Sequence, residues 1–201
     1  MRLGLLGPAD GDAALFRQAA EAILRLGAEA VVYLGIDGAA DAAVSKWAEE
    51  LAPGISREDA FLGAAAELAA RGTAQDLEAL LARDAAAARL SVIRKVPAGA
   101  VRAIEMIDDR IVTLVHDKAV LDEEDIANAT LVVYGKAPEL VLKRFGPRWF
   151  FSPGPLAARR AGLVEVDEDG HIVVSIVDPT GGELSREILH ARPSGRMMVV
   201  S

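Results

Sequence analysis

An apolar, β-compatible run that stops on a glycine constrains this chain more than any other feature. Residues 130–138, TLVVYGKAP, are the plainest case and read as a buried strand ending at Gly135. In α/β proteins ligands bind beyond the carboxyl ends of strands. Lys136, Ala137 and Pro138 are therefore the first residues to inspect for chemistry. The same pattern opens the chain. Residues 2–6 form an apolar run followed by Gly7-Pro8-Ala9-Asp10-Gly11, and residues 30–34 form another followed by Gly35-Ile36-Asp37-Gly38. Between them, residues 12–26 carry Leu15, Ala19, Ala22, Ile23 and Leu26 on one helical face, with Gly27 as a stop. Two parallel strands joined by a helix place both loops at one sheet edge.

Residues 40–90 form an alanine-rich helical block without repeats. Ser56 with Asp59, and Thr73 with Asp76, have the spacing of N-caps. Gly72 separates two helices, and Leu77, Leu80, Leu81 and Ala88 make the last one amphipathic. Residues 90–93 read as a strand or an extended link. The second half changes period: strands are expected at 101–107 and 110–115 around an Asp108-Asp109 turn, and a short helix at 122–129 capped by Asp122. Further strands are expected at 131–134, 140–145, 149–151, 161–166, 171–177 and 183–190, with a hairpin turn over VDEDGH. Residues 191–201 show no clear element. A βαβ start and a β-rich second half predict two stacked sheets flanked by helices, and no linker splits residues 1–201 into two domains.

Composition excludes several functions. A net charge of -8 and a pI near 5.0 argue against a surface for nucleic acid or anionic membranes. The chain has no cysteine, so thiol catalysis, thiolate metal sites and disulfides are excluded. Three histidines, His116, His171 and His190, limit every metal hypothesis. The N-terminal apolar run is too short for a signal peptide, and no apolar stretch of about 18 residues exists to span a bilayer. A cytoplasmic location is expected.

Five segments in order, LGLLGPADG, VVYLGIDG, RIVTLVHDK, ATLVVYGKAP and RWFFSPGPL, resemble the calcineurin-like metallophosphoesterases of the small bacterial phosphodiesterase type. The resemblance covers most of the chain outside the helical block. It implies an α/β fold, a four-layer α/β/β/α sandwich, with the alanine-rich block as an insertion. In active members these loops deliver carboxylates, histidines and an asparagine to two metal ions, which polarise a phosphate ester and acidify a bound water. Here the first motif falls on Pro8 and Asp10, and the bridging aspartate falls on Ile36, with Asp37 one place late. The Gly-Asn-His/Cys-Asp turn has no counterpart ahead of Val101. The Thr-His-Gly-His turn falls on Val115, His116, Asp117 and Lys118, and the last pair falls on Lys136 and Pro138. Only His116 is unchanged. Two divalent ions about 3.5–4 Å apart repel by roughly 20 kcal/mol even at an effective dielectric near 20. Bridging anions make such a pair tolerable, and Ile36 and the two prolines supply none.

Each candidate therefore has two readings. Asp10 is expected to cap the first helix, with metal ligation as the alternative. Asp37 reads as a turn aspartate or as a ligand displaced by one residue. His116 reads as a hydrogen-bonded structural histidine or as a remaining ligand. Neither His171, in the hairpin turn, nor His190, late in a strand, falls near the matched loops. Lys118 and Lys136 replace cationic charge and are neutralised by Asp10, Asp37 or Asp117, or else they hold a phosphate-bearing ligand. Trp47, Phe61 and Leu62 pack on the sheet, or present an apolar patch to a protein partner or a second copy. The resemblance then implies an inactive metallophosphoesterase-like protein of interaction or regulation without a cofactor, as in the retromer subunit that uses this fold as a scaffold. The alternatives are a phosphodiesterase with a weak Mn²⁺ or other divalent site at Asp10, Asp37 and His116, and a non-catalytic binder of a small phosphate-bearing ligand.

Overall fold

The computed structural model describes residues 1–55, 58–99 and 101–190. Strands β1 (Leu3–Leu6) and β2 (Ala30–Tyr33) pair in parallel, Leu3 opposite Ala30 and Leu6 opposite Tyr33. Helix α1 (Ala13–Arg25) joins them, and Gly27 ends it with a φ of 82°. The helix is capped by Asp12, whose side chain accepts the N–H groups of Ala14 and Leu15. This corrects the cap expected at Asp10. Asp10 sits two residues earlier in a left-handed turn, φ 52°, closed by a bond from the Asp12 N–H to the Ala9 carbonyl. The buried face of α1 is centred on Phe16 with Ala19, Ala20, Ala22 and Ile23. Leu15 and Leu26 lie at its half-buried margin.

The helical block comprises α2 (Ala39–Leu51), α3 (Glu58–Arg71) and α4 (Ala74–Ala88). Thr73 and Asp76 form the reciprocal capping box of α4. Ser56, the cap expected for α3, lies outside the described residues, as do residues 191–201. Residues 90–93 resolve into a 3-10 turn over Arg89–Val92 and strand β3 (Ile93–Lys95), which pairs in parallel with β2. The second half supplies β4 (Ala103–Ile107), β5 (Arg110–Val115), α5 (Glu123–Asn128), β6 (Leu131–Tyr134), β7 (Val141–Phe145), β8 (Arg148–Ser152), β9 (Ala161–Val166), β10 (Ile172–Val177) and β11 (Glu183–Leu189). Asp122 caps α5 in a second capping box with Asp125.

Two mixed sheets result, ordered β11-β10-β9-β1-β2-β3 and β4-β5-β6-β8-β7. Side chains alternate across each strand, so Leu3, Leu5, Val32 and Leu34 enter the core between the sheets with Val112, Leu114, Leu131, Val133 and Phe151. Leu6, Val31 and Tyr33 point the other way, into a second core under α1 and α2. Burial on both faces explains why these strands read as continuous apolar runs. On the second sheet's outer face Thr113, Val115 and Val132 are also buried, and α5 lies against β5. Helices α3 and α4 make a satellite cluster around Ala52, Ile55 and Leu80, with Phe61, Leu68 and Leu77 packed on it. This is the expected α/β/β/α sandwich with its helical insertion. No described helix is long and apolar enough to cross a membrane.

Candidate functional site

The parallel strands of both sheets end at one edge of the sandwich. The loops after β1, β5, β6 and β8 meet there around a recess of about 400 Å³ lined by Pro8, Asp10, His116, Lys136, Pro138 and Pro155, among others. Glycines permit the approach. A Cβ on Gly7 would lie 1.7 Å from the Gly154 carbonyl oxygen, and one on Gly135 would lie 2.2 Å from the Leu34 oxygen. Chain-to-chain contact at these points admits no side chain. The first closes β1 against the loop after β8, where the Leu156 N–H also donates to the Pro8 carbonyl. The second closes the two sheets against each other.

At this edge Asp37, Lys136 and one nitrogen of His116 are already engaged, while Asp10 lines the recess with no side-chain partner among the described residues. His116 is half-buried, and its Nδ1 lies 2.8 Å from the Leu34 carbonyl oxygen. A carbonyl only accepts, so Nδ1 carries the proton and Nε2 is left as an acceptor. Asp37 follows β2 and accepts the Tyr33 hydroxyl at 2.8 Å on both carboxylate oxygens, and the Ala39 N–H at 2.9 Å. The same hydroxyl accepts the buried Ala9 N–H at 2.8 Å, so Tyr33 ties the first loop to the second. Its ring meets Phe16 edge-on at 5.0 Å. Burial first, and then the Asp37 carboxylate, push the Tyr33 hydroxyl well above the ordinary tyrosine range. It is a neutral donor at any physiological pH.

The two lysines point to different places. Lys136 lines the recess, and its Nζ pairs with Asp117 at 2.6 Å. That bond is the main reason the Asp117 carboxyl titrates below its usual range. Lys118 instead stands 4.9 Å above the Tyr134 ring, a cation–π contact outside the recess. Of the carboxylates expected to neutralise them, Asp117 takes Lys136. Ile36 is 54% exposed and offers the site no donor atom.

A dinuclear metal centre does not fit these residues. His116 has the posture of a ligand, one nitrogen fixed by a carbonyl and the other free. Asp10 shares its recess, while Asp37 is held by Tyr33 and Ala39. Pro8, Ile36 and Pro138 contribute no side-chain donor, and Lys136 sets positive charge beside the recess. Among the described residues, the side chains whose ligand atoms gather into a group of three are Asp167, Asp169 and His171. They lie at the other end of the sandwich.

The residues expected to form a partner surface are dispersed. Trp47 is half-buried in the core under α1 and α2, with the Arg17 guanidinium 5.0 Å above its ring. Phe61 packs into the satellite cluster. Leu62 is 58% exposed, and Leu81 on α4 is 50% exposed. Sequence reasoning did not single out Tyr33, because a tyrosine inside an apolar strand looks like core. It also gave little weight to His171 and His190, whose rings meet at 5.0 Å beside the paired ends of β10 and β11. The alternating Asp-x-Asp-x-His of the hairpin was the available signal.

No protein-family profile matches the chain, and no curated protein matches it in sequence. Solved structures do. A predicted phosphoesterase of Streptococcus pneumoniae, otherwise uncharacterized, superposes with a TM-score of 0.54 at 12% identity, covering 95% of this chain and 97% of that one. Yfce, a phosphoesterase from E. coli, superposes with a TM-score of 0.54 at 15% identity, covering 94% of this chain and all of that one, 100%. At these identities the likeness establishes the fold alone, one shared with these phosphoesterases.

Proposed function

We propose that this chain is a non-catalytic protein on a phosphoesterase fold, working through protein interaction or regulation. One observation carries the reading: the edge where the fold gathers catalytic ligands holds one poised imidazole, with Asp37 locked by Tyr33 and Lys136 locked by Asp117. A phosphoester held there would meet a lysine already paired and no set of donors able to hold a metal pair. The contact surface that supports the reading is the helical block. Helix α3 buries none of its described residues, and Leu62 and Leu81 stand exposed on adjacent helices. A protein partner or a second copy of the chain would cover them.

The test is hydrolysis of a chromogenic phosphodiester by chelator-treated protein supplied with Mn²⁺, alongside capture of binding proteins. Turnover abolished by Asp37→Ala or His116→Ala would mean that Asp10, Asp37 and His116 form a working site, and the reading would fall. Absence of turnover, with a specific partner or self-association lost on Leu62→Asp and Leu81→Asp, supports it.

A further inference from the structure

The pair of His171 and His190 lies at the sandwich end remote from the recess. Strand β9 runs antiparallel to β1, with Val164 opposite Leu3, so its last residues lie beside the start of β1. The β9–β10 turn carries Asp167, Asp169 and His171, and their ligand atoms all lie within 4.8 Å of one another. Asp167 is shaped for this arrangement. One of its oxygens, Oδ1, accepts the N–H groups of Asp169 and His171 at 3.0 and 2.8 Å, which leaves Oδ2 free. The His171 Nδ1 lies 3.6 Å from that Oδ1. His190, just past the end of β11, brings a second imidazole to the place, ring centroids 5.0 Å apart and 74° between planes.

We propose that Asp167, Asp169 and His171 bind a first-row divalent transition ion of the zinc, nickel or cobalt type, with water completing the coordination and the His190 ring packed edge-on beside it. The donor set decides the class. Imidazole nitrogen with carboxylate oxygen suits these ions, whereas Ca²⁺ takes six to eight oxygens and Mg²⁺ keeps an octahedral oxygen shell. One cation beside the turn is Arg110, which donates to the Gly170 carbonyl at 3.1 Å and pairs with Asp109 at 3.3 Å. It weakens the site, but its charge is met in part by Asp109. The bound ion would pin the turn that joins β9 to β10.

The test uses the full chain after chelator treatment, titrated with Co²⁺ and followed by visible absorption and by the histidine ring proton resonances. The expected result is one equivalent bound with micromolar affinity, a d–d band of a four- or five-coordinate ion, and perturbation of His171 and His190 with His116 unmoved. His171→Ala and Asp169→Asn should each weaken binding at least about tenfold, while His116→Ala leaves it unchanged. No binding up to millimolar Co²⁺ overturns the proposal. So does binding that survives His171→Ala, or binding that perturbs His116 instead. The wild-type resonances decide the matter even where a variant fails to fold.

Discussion

Tyr33 does more at the recess than any residue matched to a metal motif. Its hydroxyl serves a buried N–H and a carboxylate at once. Tyr33→Phe removes both bonds, leaves the Ala9 N–H unsatisfied, and should cost about 2 kcal/mol in urea unfolding. The pH dependence follows from the direction of its shift. A tyrosine raised above its unfolded value lends stability that is full below about pH 10 and drains away as pH rises toward the folded value. Wild-type protein should therefore lose stability in alkali more steeply than Tyr33→Phe, with the Tyr33 phenolate, read as the absorbance difference between the two proteins, appearing only on unfolding. Asp117 runs the opposite way. Its lowered titration contributes above about pH 4 and is lost in acid. The pair with Lys136 is largely exposed, so Asp117→Asn should change stability by less than about 1 kcal/mol, and less again in high salt.

The strand-to-loop junctions carry the strictest requirements at the level of elements. Gly135 ends β6 against the Leu34 carbonyl, and backbone on both sides leaves nothing flexible to move. Gly135→Ala should destabilise by about 3 kcal/mol, read as a drop in melting temperature, and should open the recess by parting the two sheets. These junctions were legible in the sequence, since an apolar run that stops on glycine marks both the strand and its end. The Thr73 and Asp122 caps were legible for the same local reason: the capping residue and its acidic partner are three positions apart in the chain. The cap of α1 was misplaced by two residues because Asp10 and Asp12 both precede the apolar face, and only the backbone shows that Asp10 turns left-handed. Strand β3 was legible only in outline. Its three residues carry too little periodicity to be told from a link until β2 lies beside them.

Across the whole molecule, stability is expected to be uneven. The sheets share two continuous cores, whereas α3 and α4 rest on a satellite cluster of small extent. Amide hydrogens of α3 and α4 should exchange before those of β1, β2, β5 and β6, measured in native-state exchange. Protection of α3 as lasting as that of β1 would mean that the block is held more firmly than its burial implies. By itself the sequence determined the order of elements, the two-sheet fold and the loops that meet at the recess. Each of these is written in local signals: apolar period, glycine stops and capping pairs. Only the tertiary structure decided which side chains are partners. Tyr33 with Asp37, Lys136 with Asp117, Lys118 with Tyr134 and His171 with His190 depend on where a turn or strand end places a side chain. Apart from Tyr33 and Asp37, each pair lies 16 or more positions apart in the chain. Burial, electrostatics and metal affinity are sums over neighbours in space, and such neighbours exist only once the chain has folded.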